Sequence, residues 1–252
     1  MPPKVPPSPY DEIAGMYHAM WADWYLPAAM SALEKLFFSQ VPSGARVLDV
    51  CCGSGHVTKE LVERGYRITG IDSSGALIAI ARRHLPGVDL RVQDARTMRF
   101  EIQYDAAIST FDSLNHIMSL GELYDVFAAV SHALNRGGLF LFDMNLEEAY
   151  SADLRQWTVQ IDDDSVGLAR GTYDFVLRKA TTELIWFLRA GNDNCWSRRQ
   201  SVVEQRCYDQ SEIIQALAET GFAKVEVIRA TEAGVCAGLG FGRIFLTGRT
   251  QG

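Results

Sequence analysis

From residue 45 onward, short apolar runs alternate with stretches of helical period. Residues 46–50, 67–71, 89–92, 105–109 and 139–144 read as strands. Residues 57–63, 75–83 and 120–134 read as the helices between them, the last stopped by Gly137-Gly138. The strands are apolar throughout rather than at every second position. That pattern predicts burial on both faces, hence a parallel sheet covered by helices. Upstream, residues 10–24 are helix-like, with Tyr17, Met20, Trp21 and Trp24 at three- and four-residue spacings, a stripe most often used for core packing. Pro27 sits near the start of a second helical pattern through Phe38, a favoured place for proline.

Between about 154 and 207 the rhythm changes. Residues 171–179, 183–189 and 201–208 form longer, half-polar segments separated by turn residues such as Gly191-Asn192-Asp193-Asn194, which predicts a small antiparallel insertion. A helix follows over 209–220, ending at Gly221, and 224–229 and 243–247 finish the sheet. The expected fold is α/β, doubly wound and mainly parallel, with an antiparallel β cap. The expected division is a Pro-rich tail at 1–9, a main domain over 10–150 and 209–252, and the cap at 154–208.

Composition narrows the partners. The 252 residues suffice for one large domain with an inserted cap. No apolar run approaches the roughly 18–20 residues needed to span a bilayer, and the N-terminus lacks a charged-then-apolar leader. No membrane partner and a cytoplasmic address are expected. Five of the eight prolines lie in the first nine residues, which makes that stretch an extended tail. A net charge of −7 argues against nucleic acid, which calls for a basic face; Arg82-Arg83 and Arg198-Arg199 read as solvated surface pairs. The five cysteines are odd in number, without a CxxC pair, and Cys51 and Cys52 are adjacent. Neither a disulfide framework nor a metal site is expected.

The chemistry concentrates at Val47-Leu48-Asp49-Val50-Cys51-Cys52-Gly53-Ser54-Gly55-His56, where a buried strand enters a two-glycine turn and then a helix. Glycines there permit left-handed backbone and close approach of a ligand. A dinucleotide fingerprint would carry a third glycine where Thr58 stands, and Asp49 at the strand end would repel a pyrophosphate. A zwitterionic ligand bearing an ammonium and a sulfonium tolerates that carboxylate. Asp72 ends the second strand, nineteen residues after Gly53, where an acid accepts from a ribose diol. Asp94 follows the third strand, placed to accept from an adenine amino group. Each acid alone is as well explained as a turn or helix cap; the three in register with the glycines are not.

At these residues the chain resembles the class I S-adenosylmethionine-dependent methyltransferases, over about 10–248 and most specifically over 47–94. The resemblance implies a seven-stranded sheet with its last strand antiparallel, and S-adenosylmethionine as cofactor, leaving as S-adenosylhomocysteine. It assigns Asp49, Gly53 and Gly55 to the methionine portion, with Cys51 and Cys52 contributing backbone contacts. It assigns Asp72 and Ser73 to the ribose, and Asp94 and Ala95 to the adenine side. The segment Thr110-Phe111-Asp112-Ser113-Leu114-Asn115-His116 looks like the Asp-Ser-x-Asn segment of a small-molecule-modifying branch, which lines the cofactor and the methyl-transfer site. By analogy with that branch, Tyr10, Tyr17 and Trp24 fold over the cofactor as a lid, and the insertion after Asp143-Met144-Asn145 caps the acceptor pocket. The Cys51-Cys52 pair departs from the family, where small or other apolar residues are frequent.

Methyl transfer is an in-line displacement that rests on positioning and water exclusion, with a base needed only for a protonated acceptor. His116 is the candidate base, balanced by a structural role at a helix start. Asp112 is a candidate to orient an amine, or a loop cap; Asn115 is a candidate to position either substrate. His56 starts a helix and needs no chemical role. In the cap, Tyr173, Trp186, Arg189, Trp196 and Arg206 are candidate acceptor contacts, although alternation turns half of any strand away. The expected function is methyl transfer to nitrogen, oxygen or carbon of a small metabolite by a monomer or homodimer. A methyltransferase-like module that binds cofactor without turnover and an NAD(P)-dependent reductase are the alternatives.

Overall fold

The computed structural model describes residues 8–151, 157–189 and 195–251. Most of the predicted tail (1–7) and the predicted turn at 191–194 lie outside the described residues.

Strands β1 (Arg46–Val50), β2 (Arg67–Asp72), β3 (Asp89–Val92), β4 (Tyr104–Ser109) and β5 (Leu134–Asn145) run parallel. Helices His56–Glu63, Gly75–His84 and Leu120–Ala133 cross between them. The insertion follows as β6 (Trp157–Ile161), β7 (Ser165–Asp174), β8 (Lys179–Arg189) and β9 (Trp196–Arg206), an antiparallel sheet in chain order. After helix Gln210–Glu219, strands β10 (Phe222–Arg229) and β11 (Arg243–Thr250) complete a seven-stranded sheet of order β10-β11-β5-β4-β1-β2-β3. β11 is antiparallel to both its neighbours, as the resemblance implied. Strand order reverses between β1 and β4, which opens a crevice at their carboxyl ends.

Both faces of β1 are buried, which is why its sequence is apolar throughout. Leu48 and Val50 join Phe127, Val130, Phe140 and Phe142 on one side; Val47 joins Leu33, Phe37, Leu61 and Ile108 on the other. No helix among the described residues is long and apolar enough to cross a membrane.

Three local expectations change. Gly137-Gly138 does not stop the preceding helix, which ends at Ala133. Gly137 (φ 74°) instead lies in a bulge of β5, where the register against β4 jumps from Leu134 to Leu139. Pro27 lies inside helix Asp23–Leu36 rather than opening one. A π-helical turn, Tyr17–Ala22, ends just upstream, so the missing amide falls where the hydrogen-bond ladder is already irregular. In the cap, 175–178 is a turn rather than strand. The Asp174 carboxylate accepts from the Val176 and Leu177 amides (2.9 Å each), and Arg178 turns left-handed at φ 52°.

The cap sheet is fixed from below. Leu184, Trp186 and Val203 pack on Ile13, Met16 and Met20 of the N-terminal helical segment. The N-terminal segment therefore divides its work: the methionines hold the cap, Tyr17 and Trp24 face the crevice, and Trp21 touches both.

Candidate functional site

A cavity of about 580 Å³ lies between the carboxyl ends of the parallel strands, the N-terminal helices and the cap. Its first end is built on the turn after β1, where Cys51, Gly53 and Gly55 adopt φ of 62°, 56° and 86°. Asp72, at the end of β2, holds that turn: its carboxylate accepts from the Gly53 amide (2.9 Å) and the Ser74 amide (2.8 Å). Burial pushes the Asp72 carboxyl up to about 6, against the pull of those two amides. Asp49 is deeper; burial, with a smaller push from Asp72, raises it to about 7 although Thr58 donates to it at 2.5 Å. Thr58 thus does at its position what a dinucleotide-binding glycine could not. The Cys51 thiol is pushed well up, first by burial and then by the charges of Asp72, Asp49 and Asp94. The charges of all three acids of the sequence pattern therefore reach one residue.

Ser73, Asp94 and Ala95 also line this end. Arg96 grips Asp94 through Nε to Oδ1 (3.0 Å) and Nη2 to Oδ2 (2.6 Å), and this holds the Asp94 carboxyl below its ordinary range. Tyr17 closes over the turn; a Cβ on Gly53 would stand 3.1 Å from its ring. Trp24 reaches the rim, 56% exposed. Cys52 and Thr110 line a narrower recess beside the cavity, together with Asp49 and Phe111.

The second end lies where β4 meets the cap. Phe111 (φ 66°) and Asp112 (φ 44°) are consecutive non-glycine residues in the left-handed region, a strained exit from β4. A buried polar network holds it. The Asp112 amide donates to Asp143 Oδ2 (3.0 Å), and Arg243 Nη2 donates to Asp112 Oδ1 (2.7 Å). Gln205 Nε2, from β9, donates to Asp112 Oδ2 (2.5 Å). Arg243 also bonds Asp143 and lies 4.9 Å over the Tyr25 ring, which stacks on Phe111 at 4.2 Å.

His116 lines the same end. Its Nδ1 is 2.9 Å from the Glu204 carbonyl, which can only accept, so Nδ1 carries the proton. Nε2 then accepts from the Tyr10 hydroxyl at 2.9 Å. Burial lowers the His116 pKa, opposed by the Asp112 charge, and this favours the neutral ring.

A methyltransferase-domain family model matches residues 47–138, the stretch from β1 into β5 that carries the glycine turn and all three acids. A protein of Geobacillus sp. (strain WCH70), named provisionally as a methyltransferase, is 24% identical over 223 residues, 86% of this chain and 90% of its own. The chain is an S-adenosylmethionine-dependent methyltransferase that resembles those of class I. Its cofactor is S-adenosylmethionine. The dTDP-3-amino-3,4,6-trideoxy-alpha-D-glucopyranose N,N-dimethyltransferase of Streptomyces venezuelae is 29% identical over 120 residues, 46% of this chain and 49% of its own. The fold of this methyltransferase is similar to that of an S-adenosylmethionine-dependent methyltransferase from Clostridium acetobutylicum ATCC 824, with a TM-score of 0.77 at 19% identity over 97% of this chain and all of that one.

Several sequence candidates of the methyltransferase turn out to do other work. Gly55 is not at the cavity; a Cβ there would meet Leu85 Cδ1 at 2.8 Å and Ala81 Cβ at 3.2 Å, so it lets two helices approach. Asn115 is fully buried and does not line the cavity. Its Nδ2 donates to the carbonyls of Asn145 and Arg206, and its Oδ1 accepts from the Asn145 amide, which ties β5 to the cap and spends both of its donors on backbone. His116 closes the 3-10 turn Ser113–His116 instead of starting a helix. None of the five cap candidates lines the cavity. Trp186 packs on the N-terminal helices, Tyr173 bonds Glu147, and Arg189 bonds Asp164. Arg206 bonds the Met118 carbonyl, and Trp196 is exposed. The cap contributes Thr182, Val203 and Gln205 in their place. Sequence reasoning also missed Arg243; a lone arginine opening the last strand gives no hint of partners in the turn after β4 and on β5.

Proposed function

We propose that this methyltransferase methylates an amine nitrogen of a small metabolite, with the cofactor at the glycine-turn end of the cavity and the acceptor between Tyr10, Asp112 and His116. The donor set fits the cofactor. Asp72 offers an acceptor for a ribose diol, Ile71, Leu77 and Ala95 offer apolar walls for a flat base, and Asp94 faces the adenine side. Tyr17, Trp24 and Phe111 present aromatic faces suited to a positively charged sulfur. Once bound, S-adenosylmethionine supplies a methyl group on that sulfonium.

The observation that carries the reading is the line from the Glu204 carbonyl through the neutral His116 ring to the Tyr10 hydroxyl, set against the cavity. An ammonium must lose a proton before its nitrogen can attack. His116 Nε2 can take the Tyr10 proton as the Tyr10 oxygen receives one from the amine. Burial pushes the Tyr10 phenol far up, so the two transfers run together and no free phenolate forms. The paired carboxylates of Asp112 and Asp143, shared by one Arg243, favour a cationic group in front of them. Ile117, Met118 and Val203 wall the acceptor off from water. By its name the Streptomyces venezuelae relative dimethylates an amino sugar, which agrees with a nitrogen acceptor.

The test is incubation with methyl-labelled cofactor and matched panels of amines, alcohols and activated carbons, read by mass spectrometry. Label in amines supports the reading; label only in alcohols or carbons contradicts it, and cofactor binding with no label anywhere leaves a binding module. His116→Ala is expected to lower kcat by about 10²-fold or more and to abolish the acid limb of the pH–rate profile, with cofactor affinity unchanged. An unaltered profile would remove His116 from the chemistry.

A further inference from the structure

Tyr10 lies in a tight turn ahead of the first helix, and one acid of that turn reaches a distant element. The Asp11 amide donates to the Ser8 carbonyl (3.0 Å), and the Ser8 amide donates back to Asp11 Oδ2 (3.0 Å), so the two residues close a ring around Pro9 and Tyr10. The other oxygen, Oδ1, points out of the turn. It accepts from the Ser74 hydroxyl (2.6 Å) and the Ala76 amide (3.1 Å), 63 and 65 residues along the chain. Ser74 caps helix Gly75–His84 and Ala76 lies in its first turn, where unpaired amides and the helix dipole favour a carboxylate. Burial pushes the Asp11 carboxyl upward, but the Ser74, Ala76 and Ser8 donors outweigh it and hold the group below its ordinary range. Near neutral pH Asp11 is a charged anchor, bound on both sides.

We infer that Asp11 is the positioning residue of the proton path: by clasping helix Gly75–His84 it sets the Tyr10 hydroxyl against His116 Nε2. The inference rests on the reading of Tyr10 and His116 as that path. The ring contacts of Tyr10 are weakly directional. It meets His116 and Tyr17 edge-on, at 5.3 Å and 5.5 Å between centroids, and packs against the cluster of Ala14, Leu77 and Ile80. These hold the ring in place against solvent yet tolerate small slides. Proton transfer does not, since a hydrogen bond weakens steeply as it lengthens or bends. The backbone of the turn must therefore be fixed. Ser201 of β9 ties it to the cap by donating to the Pro9 carbonyl (2.9 Å), and Asp11 ties it to the helix. A slide of about 1 Å is enough to cost up to about 100-fold in rate.

The clasp also joins the two ends of the cavity. Ser74 donates its amide to Asp72 Oδ1 (2.8 Å) and its hydroxyl to Asp11 Oδ1, while its oxygen accepts from the Leu77 amide (3.1 Å). The acid proposed for the ribose thus stands two hydrogen bonds, through Ser74, from the residue that places Tyr10. Ser74 is fully buried, so water does not compete for these bonds and each is worth more than it would be at the surface.

Nitrogen NMR of the imidazole rings in the full-length protein reads the Tyr10–His116 contact itself, and His116→Ala assigns the signal among the five histidines. An accepted hydrogen bond displaces the Nε2 resonance from that of a bare ring nitrogen, and Tyr10→Phe marks the unbonded position. Asp11→Ala is expected to move the signal to that position and to lower kcat about 10-fold or more. Asp11→Asn keeps an oxygen for Ser74 and Ala76, and is expected to fall between wild type and Asp11→Ala in both measurements. A signal that stays at the wild-type position in Asp11→Ala overturns the proposal, even if the rate falls. A signal that moves, with kcat unchanged in both Asp11→Ala and Tyr10→Phe, supports the placement of Tyr10 by Asp11 and contradicts the proton path instead. Should the alanine variant fail to fold, Ser74→Gly decides, because glycine is tolerated at a helix N-cap but brings no hydroxyl. A shift of its Nε2 signal toward the Tyr10→Phe position supports the clasp, and an unshifted signal refutes it.

Discussion

Asp72→Ala is expected to weaken S-adenosylmethionine binding by about 1–3 kcal/mol, or about 5- to 150-fold, in a protein that remains folded. The carboxylate has two tasks in the proposed site. It fixes the glycine turn through the Gly53 and Ser74 amides, and each oxygen keeps a lone pair for a ribose hydroxyl. Removing it loosens the turn and deletes the charge-assisted bonds together. The pH dependence separates this from a general loss of structure. Burial raises the Asp72 carboxyl to about 6, so the acid is ionised, and the stronger acceptor, only above that pH. Wild-type affinity should therefore fall as the pH drops through 6, and the alanine variant should lack that limb. Calorimetry that finds equal affinity in both proteins at pH 8 would take Asp72 out of the site.

Arg243→Leu is expected to lower stability by about 3–5 kcal/mol near neutral pH, the usual effect of stripping one partner from a buried ion pair. The leucine would leave Asp112 and Asp143 facing each other without a cation; Asp143 is fully buried and already pushed upward by desolvation, with Arg243 as the chief opposing influence. The sign of the pH effect follows. A carboxyl whose folded pKa lies above its unfolded value destabilises the fold once it ionises, and protonation relieves it. The deficit should thus be smaller at pH 5 than at pH 8 in urea melts. A loss below about 1 kcal/mol, equal at both pH values, would show that the network is not what holds the Phe111–Asp112 turn.

The glycine turn and its acids were legible because they are local. A strand, two glycines and a helix start lie within ten residues, and each acid ends or follows its own strand, so spacing alone aligns them. The Arg243 network was not, because its bonds to Asp112 span 131 residues from β11 and 93 from Gln205 on β9. The strands that bring those residues together announce only that they are apolar. The cap shows a different limit. Alternation tells which residues share a face, but not which face looks inward, and without register Trp186 and Arg206 looked as suitable as Thr182 and Gln205. Asn115 was read from its chemistry, yet its partners are backbone groups of Asn145 and Arg206, which no sequence pattern marks. His116 was chosen for its position after β4; that its free nitrogen meets Tyr10, 106 residues earlier, required the folded N-terminal segment.

The proposed site rests on a nucleoside held between Asp72 and Asp94, with the amino-acid portion beside the Gly53 turn. A crystal structure of the complex with S-adenosylhomocysteine tests this directly. The expected result is a ribose whose two hydroxyls donate to Asp72, a base on the Asp94–Ala95 side, and sulfur turned toward Tyr10 and His116. A nucleoside bound elsewhere, or a ribose with no contact to Asp72, would contradict it.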